Sequence, residues 1–281
     1  MFPQILVLIG LFFGSITDLK KREVPDTLNY SLIIVGLILG VVLSVLNNSF
    51  LYILNSLSGL IVGFIIGALF YYSGQWGGGD AKMVMGIGAI IGLNPLNLSV
   101  LPTFLLFIIT SLIVGAIYGV IWLVVLAIKN RKSFKKHYFS SSKNDSGRLP
   151  KIVLLVLALL LIAGSFIGID RSLLFLGYVF LLLLAFLIYS KRFMKAIEAS
   201  AFIKKRAVSD LTEGDWILDK FEFKEKTVKA DNTGISSEDI ALLKKNNVKF
   251  VTVKEGVPFV PSFLIAYLVV LIFGNWLVVF F

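Results

Sequence analysis

The sequence predicts an all-α polytopic membrane protein of about eight (six to eight) transmembrane helices, with a small α+β cytoplasmic insert. Three observations predict it. Of the 281 residues, 57% are hydrophobic and only 16% charged, and the mean hydropathy is +0.90. An ordinary soluble domain is about 45–50% apolar and about 25% charged, so one water-soluble core cannot bury this much apolar side chain. Eight apolar stretches approach the roughly 20 residues that a crossing needs. Lys and Arg gather in alternate connections between those stretches, the asymmetry that orients membrane helices.

The eight stretches are 3–18, 27–46, 51–73, 80–94, 99–128, 151–168, 172–190 and 258–281. The first is short; 80–94 is short and glycine-rich, so a full crossing there is open. With the N-terminus outside, the connections 19–26, 74–79, 129–150 and 191–257 lie in the cytoplasm. They carry Lys20, Lys21 and Arg22, then seven basic residues from Lys129 to Arg148, then 14 between Lys191 and Lys254, while the opposite side keeps only Arg171. The net charge of +10 is therefore a matter of topology, and a nucleic-acid partner is excluded. The 129–150 loop faces lipid headgroups or flanks a stop-transfer segment.

The chain accordingly divides into transmembrane helices at 1–128, a basic cytoplasmic loop at 129–150, an additional helix pair at 151–190, a cytoplasmic insert at 191–257 and a last helix at 258–281. Small-xxx-small spacings at Gly10/Gly14, Gly36/Gly40, Gly59/Gly63/Gly67, Gly88/Gly92 and Gly115/Gly119 let neighbouring backbones approach. In the insert, 215–223 and 248–254 read as strands. Ser236-x-x-Asp239 reads as a capping box before a helix at 240–245, and 212–215 and 231–234 read as turns.

Chemistry is sought where charge is expensive. There is no Cys and a single His, His137, so neither a thiol nucleophile nor a zinc site is expected, and no cofactor or metal is implied. The first 128 residues hold four acidic side chains: Asp18, Glu23, Asp26 and Asp80. Glu23 and Asp26 sit in a basic loop. Asp18 and Asp80 stand at the ends of apolar helices on one side of the bilayer, where ionisable groups mark function. Asp80 follows Gly77, Gly78 and Gly79, an active-site loop whose main chain no side chain shields. Two close carboxylates share a proton and can act as general acid and general base on a bound water.

These residues carry a resemblance. Asp18 is followed by six residues and then Pro25-Asp26, and Gly77-Gly78-Gly79-Asp80 fits G-x-G-D, continued as Ala81-Lys82-Met83. The pattern resembles the prepilin peptidase family, membrane aspartic proteases, and within it the archaeal preflagellin/prepilin peptidases. It covers roughly 1–128 and resumes at Glu213-Gly214-Asp215 and at Pro258-Phe259-Val260-Pro261. The resemblance implies catalytic Asp18 and Asp80, and archaellin or type IV pilin-like precursors with hydrophobic N-terminal helices as partners. It also implies removal of a short basic leader at the cytoplasmic face of the cell membrane, and Glu23 and Asp26 are candidate contacts for that leader. The cysteine pairs of bacterial members are absent, and the pair at 151–190 is additional to compact six-span archaeal members.

Two rivals stay open. A presenilin or signal-peptide-peptidase type of intramembrane protease also uses G-x-G-D, but residues 51–73 hold no acid and Pro-Ala-Leu is absent. A proton-coupled transporter could use Asp18 and Asp80 as relays, although both lie at one face rather than at the midplane.

Overall fold

The computed structural model describes residues 2–94, 101–140, 148–223, 226–229 and 234–276. The fold is mostly helical and divides into two units, residues 1–122 with 205–281, and residues 123–204.

In the first unit, α1 (Phe2–Lys21), α2 (Asp26–Leu46), α3 (Leu51–Tyr72) and α4 (Gly78–Ile91) follow one another through short connections, and α5 starts at Thr103 and continues to Lys129. The chain returns to this unit through strands and short helices and closes with α10 (Val260–Phe273). Among the described residues, five helices are long and apolar enough to cross a membrane: Phe2–Lys21, Asp26–Leu46, Leu51–Tyr72, Thr103–Lys129 and Arg171–Phe202; Ile152–Phe166 and Val260–Phe273 are apolar but shorter. The stretch expected at 80–94 forms a helix of 14 residues, about 21 Å of rise against a hydrocarbon core of about 30 Å. Its surroundings are protein rather than lipid. Ala81, Met83, Val84, Gly86, Ile87, Gly88, Ala89 and Ile90 are all buried, which makes α4 the inner helix of this unit, packed on α2 and α3.

Glycine sets that packing. A Cβ on Gly59 would strike the Gly88 carbonyl, and one on Gly88 the Gly59 carbonyl. A Cβ on Gly63 or Gly67 would come within 3.0 and 2.9 Å of the Val84 and Ala81 carbonyl oxygens, and one on Gly36 within 2.7 Å of the Ala89 carbonyl carbon. Ser56 ties the three helices at this level, its hydroxyl reaching the carbonyls of Gly36 and Ala89. A Cβ on Gly119 would meet nothing within 4 Å among the described residues, so the last glycine of the expected pairs is not needed for a close approach to any of them. On the other flank, α1 lies along α10. Val7 and Leu11 are buried in the same apolar cluster as Phe104, Phe107, Phe263 and Tyr267.

The strand-bearing part has its own small core of Val208, Leu211, Ile217, Val228, Ile235, Ile240, Leu243, Val251 and Val253. A three-stranded sheet in the order β1-β5-β2 joins β1 (Ile203–Ala207), β5 (Phe250–Lys254) and β2 (Trp216–Ile217); β3 (Phe221–Glu222) pairs with β4 (Thr227–Val228). Along β5, Val251 and Val253 alternate inward, the period-two pattern of a half-buried strand. α9 (Ser237–Lys245) starts at Ser236, whose hydroxyl accepts from Asp239 N–H. Asp215 accepts from Thr212 N–H at 2.8 Å, closing the turn at 212–215, and pairs with Arg206, which also reaches Glu255. The turn expected at 231–234 lies largely outside the described residues.

The second unit holds α6 (Arg131–Ser140), α7 (Arg148–Phe166) and α8 (Arg171–Ile197), the last continued by a π-helical turn over Glu198–Phe202. α7 and α8 pack as a hairpin, with Asp170 capping α8 through Ser172 and Leu173 N–H. Within the basic stretch after Lys129, Arg131–Ser140 form the helix α6. Phe134 stacks on Tyr138 and meets Phe193 edge-on, and Arg192 donates to the Tyr138 carbonyl at 2.7 Å. Aromatic packing on α8 thus gives this charged segment a reason to fold.

Candidate active site

Asp18 occupies the last turn of α1 and is only 6% exposed. The helix closes behind it where Arg22 turns to φ 60° and donates its N–H to the Asp18 carbonyl at 2.9 Å. Its side chain points to the start of α10. There Val260 N–H, which has no intrahelical acceptor, donates to Asp18 Oδ2 at 2.9 Å. Phe259 at the N-cap offers no side-chain acceptor and Pro261 has no N–H, so Asp18 caps α10 from a different helix. A carboxylate in that place also suits the positive end of the helix dipole.

Asp80 is the third residue of α4. Its Oδ2 accepts from Gly77 N–H at 3.0 Å, the acidic half of a capping box, while Ala81 N–H returns to the Gly77 carbonyl. Asp80 is partly exposed, and it lies within range of the Asp18 charge. The structure therefore brings together the two carboxylates that the sequence singles out.

The glycine run divides by role. A Cβ on Gly79 would press on Val24 at 3.1 Å, so this glycine admits the α1–α2 turn; Gly77 and Gly78 have ordinary room, and none of the three needs positive φ. Two side chains that the sequence reading passes over hold the loop. Asn29 of α2, fully buried, donates to the Gly79 carbonyl at 3.2 Å. Trp76, 5% exposed, stacks on Phe70 at 4.4 Å and meets Phe263 edge-on at 5.2 Å. An asparagine just inside an apolar helix was the available signal for Asn29. Nothing local announces Trp76, and the Pro258-Phe259-Val260-Pro261 run marks Val260 without pointing to Asp18.

Glu23 and Asp26 are both exposed. Asp26 pairs with Lys82 at 2.6 Å, not with the basic run at 20–22, and the Lys82 ammonium also lies over the Tyr30 ring. No ion pair joins Glu23 to any described residue.

Comparison with known sequences bears directly on the stretch that holds both aspartates. Residues 5–120 match the type IV leader peptidase family. The chain is also similar to preflagellin peptidases of methanogens. It is 45% identical to that of Methanocaldococcus jannaschii over 83 residues, 30% of this chain and 35% of the relative. It is 40% identical to that of Methanococcus voltae over 91 residues, 32% of this chain and 39% of the relative. With the preflagellin peptidase of Methanococcus maripaludis the identity is 32% over 114 residues, 37% and 49% of the two chains. The chain thus spans between about a third and half of the length of these curated relatives. The match to the leader peptidase family takes in α1 to α4 and ends within α5; α10, whose amide holds Asp18, lies beyond it.

Proposed function

We propose that this protein is an aspartic endopeptidase of the cell membrane that removes the short basic leader from archaellin or type IV pilin-like precursors. The observation that carries this reading is a pair of carboxylates, Asp18 and Asp80, within range of one another in a segment that matches a leader peptidase family. The Lys and Arg distribution supports an N-terminus outside and a site facing the cytoplasm.

In the reaction, one carboxylate of the pair takes a proton from a bound water, and the water oxygen attacks the scissile carbonyl carbon. The other, protonated, carboxyl gives its proton to the carbonyl oxygen, forming a neutral tetrahedral diol. Collapse breaks the C–N bond: the leaving nitrogen takes a proton from the carboxyl that holds one, and a diol hydroxyl gives its proton to the other carboxylate as the product C=O forms, which restores the singly protonated pair. The amides of Val260 and Gly77 each hold one carboxylate oxygen, which fixes both side chains before substrate arrives. The apolar helix of the precursor lies against the bundle, with its leader in water.

Membranes containing the protein, incubated with a leader-bearing precursor, should yield a product lighter by the leader mass. The product should be absent with either Asp18→Asn or Asp80→Asn. Unchanged precursor mass with the wild-type chain overturns the reading.

A further inference from the structure

Three polar groups near Asp18 are not used by the site described above. Arg22 Nη1, Tyr118 Oη and Trp122 Nε1 are each shut from solvent and meet no hydrogen-bond partner among the described residues. They form one cluster. The Arg22 guanidinium lies over the Trp122 ring, 5.2 Å from its centroid, and Trp122 stacks on Tyr118 at 5.8 Å. Tyr118 and Trp122 stand four residues apart on α5 and so share a helix face. Arg22 follows Asp18 by one helical turn, and the charges of both reach Tyr118.

Buried polar groups are nearly always paired, because an unmet donor costs its full desolvation. Three in one place point to a ligand. Its chemistry follows from the donors: guanidinium and indole N–H groups only donate, and a phenol can donate as well. The ligand must therefore accept hydrogen bonds. It need not be an anion, because Asp18 already opposes the Arg22 charge; what the cluster lacks is lone pairs. A neutral carbonyl oxygen supplies two of them, and an extended peptide beside Asp18 brings such oxygens at every residue.

We propose that Arg22, Tyr118 and Trp122 form a subsite for main-chain carbonyl oxygens of the substrate segment that lies next to Asp18. This rests on the peptidase reading and extends it to how the peptide is held. The cation–π contact fixes the guanidinium, and the two rings fix the direction of the phenol and indole donors.

Tyr118→Phe and Trp122→Phe each remove one donor and keep an aromatic ring. Each should raise KM for precursor cleavage about 5–20-fold and leave kcat within about twofold, as loss of binding shared by ground and transition states does. The melting temperature should stay level or rise, because each change deletes a buried polar group that no protein atom satisfies. A thioamide scan of the substrate identifies the bound carbonyl, since a C=S sulfur is a poor acceptor. At one non-scissile position the thioamide should raise KM for the wild type and add nothing for the affected variant. Unchanged KM in both variants overturns the subsite. So does a fall in melting temperature with losses that ignore the thioamide position, which would make the cluster structural. A wild-type chain that cleaves no precursor overturns the peptidase reading and the subsite with it. An active wild type with unaffected variants removes the subsite alone.

Discussion

The Asp18 carboxylate accepts a hydrogen bond from the main-chain N–H of Val260, 2.9 Å away and 242 residues further along the chain. The final helix therefore orients a side chain of the first. Two substitutions separate capping from catalysis. Asp18→Asn keeps an oxygen that can accept from Val260, so abundance and melting temperature should stay near those of the wild type. Asp18→Ala leaves a buried N–H unmet and should lower stability by about 1–3 kcal/mol. Both should abolish cleavage, as should Asp80→Asn, because half of an acid–base pair does not function alone. Robust turnover by Asp18→Asn refutes the pair.

Glycine packing gives a second expectation. Gly59→Ala and Gly88→Ala each set a methyl against a facing carbonyl, where overpacking costs about 1–3 kcal/mol. Gly119→Ala meets open space and should gain slightly from its higher helix propensity. Thermal melts in detergent compare the three directly; equal shifts would contradict the α3–α4 contact.

Asn29 links α2 to the glycine loop through the Gly79 carbonyl, while its Oδ1 has no partner among the described residues. Asn29→Leu removes the donor together with that unmet acceptor, so stability should change little. Without the tie the loop carrying Asp80 loses its register, and kcat should fall about tenfold, a loss of about one hydrogen bond in the transition state. Steady-state cleavage at matched protein abundance measures it, and an unchanged kcat would assign Asn29 to packing.

Cleavage should persist in strong chelator and after thiol alkylation. The chain has no Cys and one His, too few soft or imidazole ligands for a zinc centre. Activity lost in chelator and restored by added metal would exclude the mechanism drawn above.

What the sequence made legible was local. Apolar runs located the long helices, and two acids at helix ends beside a glycine run marked Asp18 and Asp80. Hydropathy alone does not distinguish a helix facing lipid from one packed among other helices, which is why α4 reads as a span yet is a helix of 14 residues with Ala81, Met83, Val84 and Gly86–Ile90 buried. The helix α6 was hidden for the opposite reason: its charge reads as loop, and the contacts that order it come from Phe193 and Arg192 some 50 residues away. Of the partners of the candidate site, Trp76 makes long-range contacts that leave no pattern in its own neighbourhood, and Val260 stands in the Pro258–Pro261 run, which does not tell that its amide meets Asp18.

Recognition of the leader separates the two exposed acids. The sequence treats Glu23 and Asp26 alike, whereas the structure pairs Asp26 with Lys82 at 2.6 Å and leaves Glu23 without an ion pair among the described residues. A basic leader residue would therefore meet an available carboxylate at Glu23 and an occupied one at Asp26. Charge-swap kinetics test this. With the leader's basic residue changed to Glu, Glu23→Lys should recover cleavage, and Asp26→Lys should not, because it also sets a second cation against Lys82. An exposed pair contributes only about 0–1 kcal/mol, so the recovery should be at most about fivefold in kcat/KM and should fade as salt is raised. Recovery with Asp26→Lys instead would show that the ion pair with Lys82 opens when substrate binds. Additive losses in both combinations would leave the two acids as loop electrostatics and place leader recognition elsewhere.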